Sequence, residues 1–415
     1  MPRLKQRQAK PGMETDRSYD AVVVGAGMVG LSTALGLAGL GMRAAVVEGR
    51  EPNHAPWDSN FDLRVSAINR ATQNVYRHLQ VWQAMCDLGV YAYRRMHVWD
   101  EHGSAQIHFD SADVGQANLG YIVENRVMLQ ALWQQAKQHA NITFYCPATT
   151  RHIDRYDDRL VIDLEQEQIS GKVLVGADGS NSWVRSQMGV ANSEGDYQQS
   201  ALVATVKLAQ SHQDCAWQVF RNSGPLAFLP VRDNHCSIVW STDQNDAARL
   251  LEMPVDAFNQ ALSAAVGNRF GEIALEGQRA VFPLRFRHSK NYVQSRIALV
   301  GDAAHTIHPL AGQGVNLGIM DSACLVQVIH QALATKRDPG CYEVLRQYER
   351  WRRGDNAIML NSMTGINQLY RKQYPWLIQL RGFGMQISDT IEPLKRFFIH
   401  QAMGLQADLP TLAKP

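Results

Sequence analysis

Hydrophobic positions in this chain fall into short runs that alternate with stretches of helical periodicity. Four runs are mostly apolar: Tyr19–Val24, Arg43–Val47, Lys172–Val175 and Arg296–Val300. Such runs predict strands that are buried on both faces, as in a parallel sheet. A turn and a helical pattern follow three of them. The order of elements therefore predicts an α/β fold with a doubly wound sheet.

The middle of the chain has a different pattern, with shorter strands and more turns. We expect further strands within residues 93–110 and 142–176, and a helix after Arg126. A β-rich insert spans residues 197–283. Its strand candidates are Leu202–Leu208, Trp217–Phe220, Pro225–Leu229 and Ser237–Trp240. The insert predicts a second unit built around its own β-sheet.

The C-terminal region has helical periodicity, with one long helix predicted from Tyr342 to about Leu369. Further helical stretches follow Pro375 and mix bulky apolar residues with Arg and Lys. One interpretation is contact with a membrane surface or a partner protein. The second interpretation, which the pattern favours, is that these helices pack on their own domain.

These patterns divide the chain into five segments. We expect residues 1–18, which are basic and polar, to form a disordered tail, and the start at Met1 or at Met13 is left open. The predicted segments that follow are 19–196 (first part of the doubly wound domain), 197–283 (β-rich domain), 284–335 (second part of the doubly wound domain) and 336–415 (helical region).

A glycine-rich turn follows the first predicted strand. Gly25, Gly27 and Gly30 form a GxGxxG pattern between strand and helix, and Glu48 ends the next strand about 20 residues on. In a dinucleotide site the glycines allow a tight turn, close approach of a pyrophosphate and helix packing, while the acidic residue holds a ribose. The carboxylate disfavours a 2′-phosphate, so the site suits FAD or NAD better than NADP.

A second turn of this kind follows the last predicted strand. Asp302 ends that strand, and the loop Gly312-Gln313-Gly314 precedes a helix that begins near Val315. A flavin needs a carboxylate for its ribitol hydroxyls, room for a flat ring and the positive end of a helix near its N1/O2 edge. The alternative is a strand–turn–helix with a tight glycine turn and no ligand. A single FAD that extends across one domain would explain both turns.

A third turn, Asp178-Gly179, lies between them, and the three motifs together carry a family resemblance. GAGMVG, GADGSNSWVR and GDAAHTIHPLAGQGVNLG resemble the class A flavoprotein monooxygenases related to 4-hydroxybenzoate hydroxylase. HPLAGQGVNLGIMD, DLRVSAI and GYIVENR are similar to the narrower subfamily of ubiquinone-biosynthesis hydroxylases. The resemblance runs from about Asp20 to about Leu405. It implies a Rossmann-like FAD-binding domain, a β-sheet substrate domain and a helical C-terminus.

The resemblance also implies roles for individual residues. Gly25, Gly27 and Gly30 would cradle the pyrophosphate, and Glu48 would hold the adenosine ribose. The remaining implied contacts are Arg64 near the FAD phosphates or ring, Arg126 along the ribose and pyrophosphate, Asp178 and Gly179 with both FAD and NAD(P)H, Asp302 on the ribitol, Pro309 at the flavin C4a face, Gly312 and Gln313 in the flavin loop, and Gly314, Val315 and Asn316 at the N1/O2 edge.

Several of these residues have ordinary structural alternatives. Arg64 could be a surface arginine, and Arg126 could be a residue at a helix N-terminus. His305 and His308 are three residues apart without a Cys or acidic cluster, so we expect loop-packing or substrate-edge residues and no metal site. The candidates for a substrate pocket between the two domains, each of which could instead be core, are Phe220, Phe228, Leu229, Pro230 and Trp240.

The activity that the resemblance implies is hydroxylation of the ring of a polyprenylated phenol or quinol, with NAD(P)H as reductant and O2 as the second substrate. No catalytic side chain can be named. GYIVEN, GPLAFLP and the Tyr93-Arg94-Arg95 segment most resemble the enzyme that hydroxylates C6 of the demethoxy intermediate, and C5 or C1 hydroxylation stays open. Four further functions stay open as well: another class A flavin monooxygenase, a flavin halogenase, a prenyl reductase and a non-catalytic flavoprotein scaffold. None of the nine tryptophans lies in the WxWxIP motif expected of a halogenase.

Composition narrows the location and the partners. A net charge of +2 without a basic stripe predicts no binding of nucleic acid. The six cysteines have no paired spacing, and no apolar run reaches the 18 or so residues of a membrane span. We expect a cytoplasmic protein. Peripheral contact at the inner membrane and binding of further ubiquinone-biosynthesis proteins stay open.

Overall fold

The computed structural model describes residues 17–52, 61–102, 105–306, 314–405 and 408–415. Most of the expected N-terminal tail and the loop with Pro309, Gly312 and Gln313 lie outside these ranges. The strands in the described ranges are β1 (Ser18–Val24), β2 (Ala44–Val47), β3 (Val65–Ile68), β4 (Val90–Tyr93), β5 (Arg95–Asp100), β6 (Gln106–Asp110), β7 (Gly120–Glu124), β8 (Ile142–Tyr145), β9 (Thr150–Arg155), β10 (Leu160–Leu164), β11 (Gln168–Gly176), β12 (Asn192–Leu208), β13 (Cys215–Arg221), β14 (Gly224–Pro230), β15 (His235–Asp243), β16 (Ile273–Ser289), β17 (Val293–Gln294), β18 (Ile297–Leu299) and β19 (His305–Thr306). The helices are α1 (Met28–Gly39), α2 (Arg70–His78), α3 (Trp82–Gly89), α4 (Asn125–Gln138), α5 (Trp183–Met188), α6 (Gln244–Glu252), α7 (Val255–Ala265), α8 (Gly314–Ala334), α9 (Tyr342–Arg371), α10 (Pro375–Thr390) and α11 (Glu392–Ala402).

The first sheet has a parallel centre in the order β18-β11-β1-β2-β8. Each of the four apolar runs contains or overlaps one of these strands, which confirms the predicted α/β class. In β1, Val22 and Val23 are fully buried, as expected for a strand at the centre of a parallel sheet. All the parallel strands end at one edge, so the turns that follow β1, β11 and β18 meet there.

Two helices from distant parts of the chain, α1 and α8, pack against each other on this sheet. A Cβ at Gly36 would lie 2.7 Å from Val326 Cγ2, so a glycine allows the close approach. The hydroxyls of Thr33 and Ser322 are joined by a 2.7 Å hydrogen bond. By length and hydropathy α8 could cross a membrane, but 67% of its most apolar stretch is buried inside the protein, which is the burial of a core helix.

The second sheet has the order β19-β16-β12-β15-β14-β13-β5-β6. The four strand candidates of the β-rich insert lie in β12 to β15, and β5 and β6 join the same sheet from a segment before the insert. Helices α6 and α7, which the hydrophobic pattern did not indicate, cover one face of it. The boundaries given to the domains stay a prediction.

The two faces of the second sheet separate the candidates for a substrate pocket. Phe228 and Trp240 belong to the core beneath α6 and α7, where Phe228 contacts Phe270 and Trp240 contacts Phe258. Leu229, which follows Phe228 in β14, packs on the opposite face with residues of β3 and β7. Period-two alternation therefore makes Phe228 and Trp240 core residues and turns Leu229 toward the strands β3 and β7.

A small third sheet, β3-β7-β4, lies beside these residues. Of the C-terminal helices, α9 packs against α8 and reaches β13 and β14, and α10 packs on β6. Phe220, a pocket candidate on β13, stacks on Tyr370 of α9 with ring centres 4.0 Å apart. The helical C-terminus predicted from the sequence is thus present and attached to both larger sheets.

Candidate functional site

The turn between β1 and α1 is shaped by glycine. Gly25 has φ +103°, and a Cβ there would lie 2.5 Å from Ala177 O; a Cβ at Gly30 would lie 1.9 Å from Gly25 O. Neither position accepts another residue. A Cβ at Gly27 would meet no described atom within 4 Å. The turn therefore leaves an open space beside Gly27 at the N-terminus of α1, where backbone N–H groups attract an anion such as a pyrophosphate.

Glu48 closes this turn from the end of β2. Its Oε2 accepts a 2.7 Å hydrogen bond from the Ala26 N–H, and its Oε1 accepts one of 3.2 Å from Arg50 N–H. From the other side, the Trp133 indole N–H donates to Ala26 O over 3.1 Å. The structure thus brings Glu48 to the glycine turn, where the sequence predicted it.

The segments of Arg64 and Arg126 are neighbours because β3 and β7 pair. Asp62 N–H donates to Glu124 Oε2 over 2.7 Å, and Arg126 N–H donates to Asp62 Oδ2 over 3.0 Å. The Arg126 side chain is half-buried and bonds Glu124 Oε2 through its Nε over 2.9 Å. Arg64 is exposed, with its guanidinium 5.7 Å from the ring centre of Phe282 on the second sheet.

The Asp178-Gly179 turn follows β11 beside the first glycine turn. Asp178 Oδ2 accepts from Val184 N–H over 3.1 Å, whereas Oδ1 is buried and has no hydrogen-bond partner within the described chain. Arg185 ties this turn to the next, since it donates to Ser180 O over 2.7 Å and to Ala303 O over 2.8 Å. Sequence reasoning did not single out Arg185; the signal was a basic residue early in a short helix after the DG motif.

Asp302 lies in the turn after β18. Gly301 has φ +58°, and a Cβ there would lie 3.2 Å from Val29 of α1, so this turn also packs on the first glycine-rich unit. Asp302 is exposed along the sheet edge. Desolvation by the surrounding protein raises its pKa, although the charges of His305 and Arg64 act in the opposite direction. The structure therefore brings Arg64 and Asp302 into one electrostatic environment.

A buried carboxylate, Asp321 of α8, supports this turn from behind. Asp321 Oδ2 accepts from Gly301 N–H over 3.1 Å and lies 2.5 Å from His305 Nε2. Asp321 Oδ1 accepts from Arg352 Nε over 2.8 Å and from Asn356 Nδ2 over 3.2 Å. Asp321 is fully buried, and although burial alone would raise its pKa, the neighbouring His305 and Arg352 hold it down at about 2.

The sequence does not predict this network, although three of its members, Gly301, His305 and Asp321, stand in the quoted motifs. His305, expected to be a loop-packing or substrate-edge residue, is buried against Asp321, which is a packing role. The available signal was a lone acidic residue within an otherwise apolar helix, which needs a buried partner. That partner, Arg352, is 31 residues away on α9, a pairing that sequence spacing does not reveal.

The start of α8 carries the last predicted site residues. Gly314 and Val315 stand at the first turn of α8, where Val315 is half-buried. The Asn316 side chain donates to Ala67 O over 2.8 Å and accepts from Asn69 N–H over 3.2 Å. Both atoms of the side-chain amide thus have partners within the protein. We therefore expect Asn316 to contact a cofactor through its backbone.

Two further sequence expectations concern this region. Pro309, Gly312 and Gln313 lie outside the described residues, so their implied contacts stay predictions. Among the residues that the structure describes, no group of three or more His, Cys, Asp or Glu could hold a metal ion.

Together these features fit an extended dinucleotide at the carboxyl edge of the first sheet. The open space at Gly27, the orphaned Asp178 Oδ1 and the exposed Asp302 follow one another along that edge. The helix N-termini of α1 and α8 add partial positive charge at its two ends. The residues present therefore suit FAD.

Comparison with known proteins agrees with this geometry. A family model described as "FAD binding domain" matches residues 18–358. The chain is 37% identical to 3-demethoxyubiquinol 3-hydroxylase of Escherichia coli, over 94% of this chain and 100% of the relative. It is 33% identical to ubiquinone hydroxylase UbiL of Rhodospirillum rubrum (94% and 90%), and 32% identical to the human mitochondrial ubiquinone biosynthesis monooxygenase COQ6 (92% and 92%).

Solved structures share the fold at low sequence identity. p-Nitrophenol 4-monooxygenase PnpA of Pseudomonas putida has a TM-score of 0.75 at 16% identity, with 93% of this chain and 98% of that chain covered. PqsL of Pseudomonas aeruginosa, a probable FAD-dependent monooxygenase, has a TM-score of 0.74 at 19% identity (89% and 99%). A variant of Klebsiella pneumoniae HpxO, solved with FAD, has a TM-score of 0.72 at 17% identity (94% and 99%).

Proposed function

This chain belongs to the FAD-binding domain family, and on that basis we propose that it is an FAD-dependent monooxygenase that hydroxylates the ring of a polyprenylated quinol in ubiquinone biosynthesis. The observation that carries the proposal is the set of three turns at one edge of the first sheet. Relatives named as ubiquinone-pathway hydroxylases match nearly the whole chain, which supports the substrate class.

The chain's own residues would act mainly by binding and orientation. Backbone N–H groups around Gly27 would hold the pyrophosphate, Glu48 the adenosine ribose and Asp302 the ribitol. The N-terminus of α8 would stabilise negative charge at the pyrimidine edge of the flavin. When FAD is bound and reduced by NAD(P)H, it supplies the activation of O2 that ring hydroxylation requires.

The hydrogen bonds of Asp321 would hold the turn that carries Asp302 in place during this chemistry. Asp321 fixes the Gly301 N–H and the His305 ring, so the carboxylate of Asp302 stays at the strand end. Arg185 joins the Asp178 turn to the Asp302 turn through two backbone carbonyls. These groups position the turns and move no proton themselves.

For the ring position we propose C6, the carbon that the demethoxy intermediate presents for hydroxylation. The E. coli relative, whose name describes hydroxylation of a demethoxyubiquinol, supports the demethoxy intermediate as the substrate. The names of the UbiL and COQ6 relatives specify no ring carbon, so hydroxylation at C5 or C1 stays the second candidate. We further propose that the enzyme works at the cytoplasmic face of the inner membrane, where a polyprenylated substrate resides.

The test combines gene deletion with mass spectrometry of the quinone-pathway lipids. We expect the deletion strain to accumulate the demethoxy intermediate and to recover with the wild-type gene but not with Gly27→Val. Gly27 has backbone angles open to any residue and free space around it, so this variant should fold and yet obstruct the pyrophosphate. Gly39→Val is the matched control, because Gly39 also has open space but lies at the far end of α1.

Three results would change the proposal. Accumulation of an earlier prenylphenol would move the reaction to C5 or C1. A normal ubiquinone profile, together with NAD(P)H-dependent O2 uptake by the purified protein, would place the substrate outside this pathway. Absence of any such O2 uptake would leave a non-catalytic flavoprotein scaffold.

A further inference from the structure

Large hydrophobic side chains are exposed most densely on the last two long helices. The described part of the chain has thirteen large exposed hydrophobic residues, and seven of them fall between residues 374 and 398. They are Tyr374, Trp376, Leu380, Phe383, Ile391, Phe397 and Phe398. We call this set the α10–α11 surface.

The exposed residues of α10 lie on one side of that helix. Trp376, Leu380 and Phe383 follow the spacing of four and three residues that places side chains on one face, and they are 63%, 57% and 62% exposed. The opposite face, with Leu377 and Met385, is buried against the body of the protein. Helix α10 thus carries apolar residues on two sides, one of which is covered by protein and the other uncovered. Such a concentration of apolar area is typical of a binding surface.

The body of the protein holds this surface in place. Arg381, between Leu380 and Phe383, forms a buried ion pair with Asp100 of β5, with Nε 2.5 Å from Oδ2. Lys395 of α11 lies 3.4 Å from Asp113, and His108 N–H donates to Asp389 Oδ1 over 3.0 Å. Because these contacts fasten the inner faces, the apolar side chains cannot turn inward without breaking them.

The charge of the same segment identifies a phospholipid surface as the occupant. Residues 371–402 contain five cationic side chains and two acidic ones. Four of the cations remain when Arg381, which is buried against Asp100, is set aside, while the whole chain has a net charge of only +2. Lys372 and Arg396 are exposed next to the apolar residues, and Arg396 also pairs with the exposed Glu392 on the same helix. Aromatic residues with flanking Lys and Arg match the interface of an anionic bilayer, where rings sit at headgroup depth and cations attract the lipid phosphates.

We propose that the α10–α11 surface binds the surface of an anionic phospholipid bilayer as a peripheral contact. The inference deepens the proposed function and rests on it in one respect, since a lipid-borne quinol explains why an enzyme of this kind needs the contact. The occupant is the headgroup and upper acyl region of the bilayer, and no helix of the surface would span it.

Vesicle sedimentation of the purified holoenzyme tests this proposal. The probes are vesicles of phosphatidylcholine alone and vesicles in which phosphatidylglycerol replaces part of it. We expect the triple variant Trp376→Ser, Leu380→Ser, Phe383→Ser to lower the partition coefficient on mixed vesicles at least about tenfold. Val255→Ser is the matched control, because Val255 is 49% exposed at the start of α7, away from the surface, and should bind as the wild type does.

A charge variant separates the two contributions. Lys372→Glu with Arg396→Glu should remove the preference for phosphatidylglycerol and leave the weak binding to phosphatidylcholine unchanged. Point variants are preferable to truncation after Tyr374. Truncation would remove Arg381 and leave the buried Asp100 without its charged partner.

Two outcomes would overturn the proposal. One is vesicle binding of the triple variant equal to that of the wild type. The other is a wild-type protein that does not bind vesicles but forms a concentration-dependent dimer, which the triple variant no longer forms. That result would assign the surface to a second copy of the chain. Turnover of a short-chain, water-soluble quinol analogue, measured without vesicles, tests the proposed activity separately from the bilayer contact. Lost binding with retained turnover supports the bilayer contact, while retained binding without turnover in any variant rejects only the proposed activity.

Discussion

Two buried arginine–carboxylate pairs attach the C-terminal helices, one behind the cofactor site and one beneath the second sheet. Arg352 of α9 bonds Asp321, and Arg381 of α10 bonds Asp100, with all four side chains at most 5% exposed. The chemistry is the same, but the remaining partners differ. Asp321 also holds Gly301 N–H and His305, whereas Arg381 caps the backbone carbonyls of Leu369, Tyr370 and Lys372 at the end of α9.

The comparison shows that a buried ion pair takes its role from the groups that share it. The Asp321–Arg352 pair orients the turn that presents Asp302, so the cofactor depends on it. The Asp100–Arg381 pair joins helix ends to a sheet edge, so the α10–α11 surface depends on it. Breaking each pair should therefore give similar losses of stability but different losses of function.

The largest effect is expected for Asp321→Asn. The substitution leaves the Arg352 guanidinium buried without the Asp321 charge and weakens the hold on His305. Removal of one partner of a buried pair costs about 3–5 kcal/mol. We expect a loss of that order in the free energy of unfolding, measured with urea, and a purified protein that retains little flavin, measured by absorbance.

A second substitution separates stability from orientation. Adding Arg352→Met removes the uncompensated charge, so the double variant should recover part of the lost stability. Its flavin content should stay low, because Gly301 and His305 still lack the Asp321 carboxylate. Full flavin content in the double variant would contradict a positioning role for Asp321.

Arg381→Met is expected to have the next largest effect. It leaves the buried Asp100 carboxylate with the backbone N–H of His102 but without its cation, and we expect a loss of about 3 kcal/mol in the free energy of unfolding. Flavin content per folded protein should match the wild type, because the bonds of this pair lead to the end of α9 and to no turn of the cofactor site. Flavin loss as severe as that of Asp321→Asn would erase the distinction between the two pairs.

The smallest effect is expected on acidification, through the carboxylates of Asp302 and Asp321. The pKa of Asp302 is raised above 3.8, so the folded protein binds this proton more tightly than the unfolded chain does, and protonation does not destabilise the fold. The pKa of Asp321 is about 2, so the stability it contributes is present above pH 3.8 and is lost as the pH falls from 3.8 toward 2.

We therefore expect FAD affinity to weaken at a higher pH than the fold does, and Asp302→Asn to remove the earlier step. Flavin fluorescence and circular dichroism, recorded on the same samples, measure the two transitions. Coincident transitions in the wild type would contradict a cofactor contact by the ionised Asp302.

Local patterns were enough to predict the first sheet and the turns along its edge. β2, β18 and the last residues of β1 and β11 are apolar runs, and Gly25 and Gly30 lie where no other residue fits. Such features are encoded within a few neighbouring residues, so the sequence displays them directly. The second sheet was predicted in part, since alternation indicated its strands but not the faces that Phe228 and Leu229 would take.

What could not be predicted depends on contacts between distant segments. Asp321 finds Arg352 31 residues away, and Asp100 finds Arg381 281 residues away. No local spacing encodes these pairs. The amide of Asn316 likewise bonds the β3–α2 junction, which a helix-terminus motif alone did not suggest.

The contact between α1 and α8 has a consequence for how the protein is made. Thr33 meets Ser322 across 289 residues of chain, and a Cβ at Gly318 would come within 2.6 Å of Val29. During synthesis the first glycine turn leaves the ribosome long before β18 and α8 exist. Contacts of such high sequence separation form late in folding. The side of α1 that faces α8 therefore stays uncovered in the nascent chain until α8 has been synthesised. Flavin can bind only after most of the polypeptide has been translated.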